Sequence, residues 1–387
     1  MWLGSFASFM ALNMQMITRG WLVLRLADDS PLSLSLVMVS FAAPMTFVSL
    51  IGGALADRIS RKRMVMFSQA GNAILALLVA TLDITDVVEF WHLMVLGVLN
   101  GSLMAFNMPS RQAMISDTVP EDKLMNAISL SNSAMNLTRI LGPALAGILI
   151  LYIDTAGVFF LISGIYVFAT LSIVTINAGT KPASSSRRGM TGDIREGLAY
   201  VLGDPTLKGL ILIGFIASLF GFSYFALLPA WGREALDVGS ADLGILMMLM
   251  GIGALVGTLI LASMSHIKRR GAILLAACVV WGIGLALFSQ STSFTFAVPF
   301  LLVIGLVSSL FMSLNMTLIQ VYAAREMRGR VTSIMMMTFG LMPLSALPFG
   351  ALAEWQTTPF ALMVSGILLA VFTLIFIFAY PSLRRTQ

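Results

Sequence analysis

Long apolar runs separated by short polar punctuation make up most of the chain. Each run is close to the roughly 20 residues that an α-helix needs to cross a hydrocarbon core. The runs are too long for barrel strands and do not alternate with a period of two. The pattern predicts helical spans at 2–26, 32–56, 63–82, 91–115, 124–152, 155–177, 207–231, 240–264, 271–290, 294–320, 328–353 and 357–380. Between them lie Asp28-Asp29-Ser30-Pro31, the basic stretch 58–63 and Pro120-Glu121-Asp122-Lys123. The one long polar segment, 179–206, carries Lys181, Pro182, Arg187 and Arg188. It predicts a cytoplasmic linker between a six-helix bundle at 1–178 and a second at 207–387, with a short amphipathic helix at 193–202 lying at the membrane interface. The expected fold class is all-α: about twelve transmembrane helices in two six-helix bundles.

Composition agrees with lipid as the main solvent. The chain is 58% hydrophobic and 11% charged, where a soluble domain carries about 25% charge. Chemistry based on metals or thiols has little to work with: the lone cysteine is Cys278, and His92 and His266 are far apart in sequence. Neither a metal site nor a cofactor is expected, and no residue is a catalytic candidate. The first 26 residues lack a basic leader and a small-residue cleavage site, so they predict a retained first span. The abrupt start also suggests that the ancestral N-terminus lay upstream.

Charge sets orientation. All but four of the 23 Lys and Arg lie on the face shared by the loops after even-numbered spans; the exceptions are Arg19, Arg25, Arg139 and Arg233. The opposite face is acidic, with Asp28, Asp83, Asp86, Glu89, Asp237 and Glu354. The positive-inside rule then predicts both termini on the cytoplasmic side of a bacterial inner membrane. The same asymmetry accounts for the net charge of +5, so nucleic acid is not an expected partner.

The two halves repeat weakly. Gly101-x5-Asn107 in span 4 parallels Ser309-x5-Asn315 in span 10, and each leads into a Gly/Pro-rich helix. Parallel six-span repeats are one known design for alternating access, with substrate between the halves.

The sharpest motif is Gly52-Gly53-Ala54-Leu55-Ala56-Asp57-Arg58-Ile59-Ser60-Arg61-Lys62-Arg63. It resembles the loop signature of the major facilitator superfamily between spans 2 and 3, with Ser60 in place of the second glycine. The resemblance implies a cytoplasmic gate: Gly53 allows close helix approach, Asp57 faces the N-terminus of span 11 near Thr332, and Arg58, Arg61 and Lys62 supply the basic loop. Arg111, at the cytoplasmic end of span 4, is a second candidate partner for Asp57. The plainer reading of 58–63 is a topology determinant, though Asp57 adds nothing to that role. In span 5, Gly142-Pro143-Ala144-Leu145-Ala146-Gly147 resembles the exporter signature of the same superfamily, with Ala146 replacing a glycine. Its plainer reading is helix packing around a proline kink. Taken over the whole chain, the pattern is most similar to the bacterial exporter group that includes the enterobactin exporter. The Arg of the drug/proton antiporter signature in span 4 is replaced by Gly97, which weakens the case for that mode of coupling. A proton remains the expected coupling ion, because no nucleotide-binding motif occurs.

Ionisable groups inside a span are expensive and serve as functional candidates by default. Arg139 lies about 20 Å into span 5, Arg19 lies in the outer half of span 1, and no acid lies deep in any span. With Asn13, Gln15, Asn107, Asn136, Asn315 and Gln320 they outline a net positive cavity. The plainer alternative has Arg139 bonded to carbonyls at the kink and Arg19 snorkelling outward. The expected function is a secondary transporter exporting a small siderophore-like or amphipathic molecule in contact with membrane lipids. Import or lipid movement on the same fold, efflux of cationic compounds, and a non-transporting scaffold or sensor are the alternatives. No residue set supports an enzyme.

Overall fold

The computed structural model describes residues 2–56, 60–174, 190–263, 269–324, 326–340 and 342–384. Among these the regular structure is helical, without a strand. The elements are α1 (Trp2–Leu26), α2 (Pro31–Ala56), α3 (Arg61–Ile84), α4 (Phe90–Thr118), α5 (Glu121–Val174), α6 (Met190–Gly203), α7 (Pro205–Ile216), α8 (Ser223–Leu236), α9 (Ser240–Ser263), α10 (Arg270–Ser289), α11 (Phe294–Tyr322), α12 (Arg328–Gly340), α13 (Met342–Trp355), α14 (Thr358–Ala379) and α15 (Pro381–Arg384). A π-helical turn, Ala217–Gly221, joins α7 to α8. The amphipathic helix expected at 193–202 is α6.

Among the described residues, eight helical stretches are long and apolar enough to cross a membrane. The difference from twelve has local causes. Predicted spans 5 and 6 form one continuous stretch in α5, interrupted only by the non-helical backbone of Asp154. In α1, Asn13, Gln15, Arg19 and Arg25 dilute the apolar run, the apolar stretch Pro31–Thr46 of α2 is short, and α12 and α13 are each short on their own.

The chain forms two compact units. The first comprises α1 to α5 with residues 238–248 at the start of α9. The second holds α6 to α8, the rest of α9 and α10 onwards. The stretch 238–248 falls within the range 207–387 expected for the second bundle. Its place in the first unit follows from small residues: Gly147 of α5 meets Ser240 and Gly244, and the Ser240 hydroxyl donates to the Gly147 carbonyl at 3.0 Å.

In the first unit, α1 packs on α5, α2 on α4, and α3 on both α4 and α5. A polar staple ties three of them together. Arg25 in the last turn of α1 pairs with Asp83 at the end of α3, and its Nη1 lies 3.3 Å from Asp154 Oδ1 at the break in α5. The Thr155 hydroxyl donates to Asp83, whose side chain is buried. Asp154 has φ 56 and ψ 179, a region that is essentially glycine's. Its carboxylate offsets the strain locally by accepting from the Thr155 N–H at 2.6 Å.

In the second unit, α10 packs on α11 and α14. A Cβ placed on Gly282 of α10 would stand 2.6 Å from the Gly366 carbonyl of α14, so the two backbones touch. This is the close approach that small residues permit in apolar surroundings. Asp204 caps α7 by accepting from Thr206 N–H at 2.7 Å and Leu207 N–H at 2.9 Å, with Pro205 at the first helical position. Helix α6 docks on the start of α12: Arg330 Nη1 lies 2.6 Å from Glu196 Oε1, and Gly197 faces the Arg330 side chain. The Ala324 N–H donates to the Tyr200 hydroxyl at 3.2 Å.

Candidate functional site

The first unit holds two arginines among neutral partners, Arg111 buried and Arg19 half-buried. Arg111 of α4 is 3% exposed. Its Nη2 donates to Ser8 Oγ of α1 at 2.7 Å, and its Nε donates to Asn107 Oδ1, one turn earlier on α4, at 3.3 Å. The Asn107 amide donates onward to Ser68 Oγ of α3 at 2.5 Å. The guanidinium lies over the Phe9 ring, 5.1 Å from its centroid.

Arg19 repeats this arrangement further along α1. It donates to Asn100 Oδ1 of α4 at 3.0 Å, and the Asn100 amide donates to Asn72 Oδ1 of α3 at 2.7 Å. Its guanidinium lies 5.5 Å from the centroid of Phe41 on α2. Glycine places that ring: Gly97 and Gly101 of α4 abut Ser40 and the Phe41 carbonyl, which brings α2 against α4. Tyr166, in the second half of α5, donates to Gln15 Oε1 at 3.5 Å. Gln69, fully buried on α3, has no hydrogen-bond partner among the described residues for either amide atom. Among the described residues, no carboxylate pairs with Arg19 or Arg111.

Spacing and burial make this a set of fixed cations that neutral dipoles hold in place. A family model described as transmembrane secretion effector matches residues 1–386, essentially the whole chain. The chain belongs to the major facilitator superfamily. Its relatives include the multidrug efflux pump Tap of Mycolicibacterium fortuitum, 27% identical over 345 residues, spanning 86% of this chain and 83% of Tap. The staphyloferrin A transporter of Staphylococcus aureus is 23% identical over 384 residues, 98% of this chain and 95% of its own. The enterobactin exporter EntS of Salmonella choleraesuis is 23% identical over 352 residues, 90% and 84% respectively. Among solved structures, the nucleoside transporter NupG superposes with a TM-score of 0.75 at 14% identity, covering 100% of this chain and 98% of NupG. A bacterial homolog of the human lysosomal transporter Spinster superposes at 0.77 and 12% identity, over 98% and 95%. The superfamily consists of multi-pass membrane transporters of small molecules rather than enzymes.

The superfamily signatures map onto the structure unevenly. Gly53 lies within α2, and Asp57 and Arg58 lie outside the described residues. Arg61 and Lys62 begin α3, where Lys62 Nζ donates to the Val174 carbonyl at 2.7 Å and so holds the C-terminal end of α5. Helix α4 continues to Thr118, so Arg111 lies about 10 Å inside it. There it bonds to Ser8 and Asn107, while its expected partner Asp57 lies outside the described residues. The exporter-type segment is a packing joint: Gly142 faces Asn13 of α1, while the Pro143 carbonyl and Gly147 face Gly244 of α9.

The expected cavity residues separate into groups. Arg19, Gln15 and Asn107 belong to the arginine cluster. Asn13 donates to the Phe9 carbonyl at 2.8 Å. Asn136 is half-buried and Arg139 is exposed on α5, with no side-chain hydrogen bond to a described residue. Asn315 is fully buried in the second unit, whereas Gln320 is exposed. The sequence reading missed Ser8, Ser68, Asn72, Asn100 and Tyr166. A signal existed in the helical spacing of polar groups inside apolar spans: Ser68 with Asn72, and Asn100, Asn107 and Arg111, fall near one face of each helix. An apolar groove of about 630 Å³ between α1 and α5, lined by Phe6, Met10, Phe160 and Phe168, is separate from this cluster.

Proposed function

We propose that the protein is a secondary active exporter of a small anionic molecule, siderophore-like or amphipathic, working by alternating access. The carrying observation is Arg111, buried among neutral groups, with Arg19 half-buried in a similar neutral setting. Taking an ion from water into a protein interior costs several kcal/mol even after relaxation. A cation–π contact returns about 0.5–2 kcal/mol, and each bond from a charged group to a neutral acceptor about 1.5–3 kcal/mol. The Coulomb term has no fixed counter-charge, so an incoming carboxylate or catecholate supplies it. Arg139, exposed on α5, attracts the same anions from outside the cluster.

Export as the direction draws on the relatives, of which Tap is named an efflux pump and EntS an exporter. The proposed architecture is twelve spans in two six-helix bundles at 1–178 and 207–387, with 179–206 as linker and both termini on the cytoplasmic face of a bacterial inner membrane. The loop at Gly53, Asp57, Arg58, Arg61 and Lys62 latches the cytoplasmic side, Gly142, Pro143 and Gly147 form the exporter joint, and a proton gradient supplies the energy.

Export from cells lacking their own exporters tests the reading with catecholate siderophores and cationic dyes side by side. We expect catecholate efflux to be lost in Arg111→Gln and Arg19→Gln at normal protein levels, and in Asp57→Asn through the latch. Efflux of dyes alone, unaffected by these variants, supports the second reading of a cationic-drug pump, to which the identity with Tap lends weight.

A further inference from the structure

In the second unit, buried polar groups without partners collect along one seam. The π-turn Ala217–Gly221 interrupts the path from α7 to α8. Such turns release backbone groups from the helical ladder and are frequent at functional positions. On the α14 side the release is answered: the Ser365 hydroxyl donates to the Phe220 carbonyl and lies 2.5 Å from Ser223 Oγ. Ser218 Oγ in the turn, Trp281 Nε1 of α10, and both Nδ2 and Oδ1 of Asn315 on α11 are buried and have no hydrogen-bond partner among the described residues. All three residues are at most 1% exposed.

Asn315 and Trp281 meet the path from α7 through the turn at Gly214 and Gly221, about 10 Å apart along the axis, with Ser218 between those two positions. Asn315 Nδ2 is 2.9 Å from where a Cβ of Gly214 would stand, and no other described side chain or neighbouring helix comes within 4 Å of that point. Ser218 lies one turn beyond Gly214. The Trp281 ring covers Gly221, with Cζ2 at 2.9 Å and Cε2 at 3.2 Å from the corresponding position. Phe311, one turn from Asn315 on α11, lies 6.0 Å from Trp281 between ring centroids. Two hydroxyl or indole groups and one amide thus line a single seam otherwise walled by Phe222, Phe311 and Trp281.

We infer that this seam is an internal site for water, one or two molecules held by Ser218, Trp281 and Asn315 beside the π-turn. Dry burial of four polar atoms is costly. A water molecule needs two to four polar partners, and the set supplies both donors and acceptors. No charged group lies among the three, so a neutral ligand fits better than an ion. Such water also gives the carbonyls of the turn an alternative partner when the turn shifts along the helix. The inference stands apart from the substrate reading, since it uses no residue of the arginine cluster.

The test is hydroxyl-radical labelling of the full-length protein in lipid nanodiscs by synchrotron pulse, read by mass spectrometry. Trp231 is an internal control: it is equally buried, but its Nε1 donates to the Ser289 carbonyl at 3.0 Å. The expected result is Trp281 labelled several-fold faster than Trp231. Equal, background labelling of both overturns the inference. A second measurement compares melting of Asn315→Leu, which nearly keeps the side-chain volume, with wild type. A hydrated amide gives a lower melting temperature in the variant, whereas an unchanged or higher one shows that the amide had been buried dry and refutes the site.

Discussion

At the scale of single residues, burial and partnership separate two arginines that looked alike in sequence. Arg139 and Arg111 each interrupt an apolar span, but Arg111 is enclosed by Ser8, Asn107 and Phe9, while Arg139 is exposed. Replacing Arg139 with Gln is therefore expected to lower export of an anionic substrate modestly, and replacing Arg111 to abolish it, with both proteins present at normal levels. Equal residual export from the two variants removes the distinction. Arg25 belongs to a structural class. Removing it as Arg25→Ala leaves the buried Asp83 carboxylate with Thr155 alone. The cost expected is about 2 kcal/mol, the lower end for a broken ion pair because Arg25 itself is 42% exposed. Thermal melting in detergent reads it.

At the scale of elements, the helices were legible wherever a physical cost is tied to a residue type. Asp28-Asp29-Ser30-Pro31 and Pro120 mark breaks because proline and short polar residues end helices. The expected gap between 152 and 155 coincides with the break at Asp154. The π-turn had no such marker: Ser218-Leu219-Phe220-Gly221 suits a regular helix equally well, and Ser365, which stabilises the break, lies 145 residues from Phe220. The arginine cluster was half legible for a related reason. The presence of Arg19, Gln15 and Asn107 inside spans is a sequence property. That Asn100 meets both Arg19 and Asn72 depends on the rotation and height of three helices. Close packing gives a sharp prediction at this scale. Gly282→Val drives a side chain into the Gly366 carbonyl and Ala370. It is expected to destabilise the second unit by roughly 1–3 kcal/mol, seen as a lower melting temperature, whereas Gly203→Ala, with nothing described within 4 Å, leaves melting unchanged.

For the whole molecule, the linker is tied to the second unit through α6 and α12. The pair of Glu196 with Arg330 is partly exposed, at 60% and 20% of the side chains. Such a pair contributes about 0.2–1 kcal/mol, too little to matter for folding. If the docking serves the transport cycle, its effect belongs in rate. Glu196→Arg is expected to slow export with melting unchanged, and the double exchange with Arg330→Glu to restore it. A single variant with wild-type flux shows the contact to be incidental.

The described residues with left-handed backbone other than glycine are all aspartates: Asp28, Asp29, Asp86, Asp154 and Asp237. Every one lies in a turn assigned to the acidic face. A short polar side chain tolerates this backbone, and so do asparagine and glycine. Because acids contribute little to orientation, the charge at Asp28, Asp86 and Asp237 is free to drift while the bend is kept. Over evolutionary time these turns are expected to wander among aspartate, asparagine and glycine and to reject alanine or valine. Asp154 is the exception, since its carboxylate also holds Arg25 and the Thr155 amide. The acidity of that face is, on this view, largely inherited from the geometry of its turns, and Asp154 would be missed for its charge.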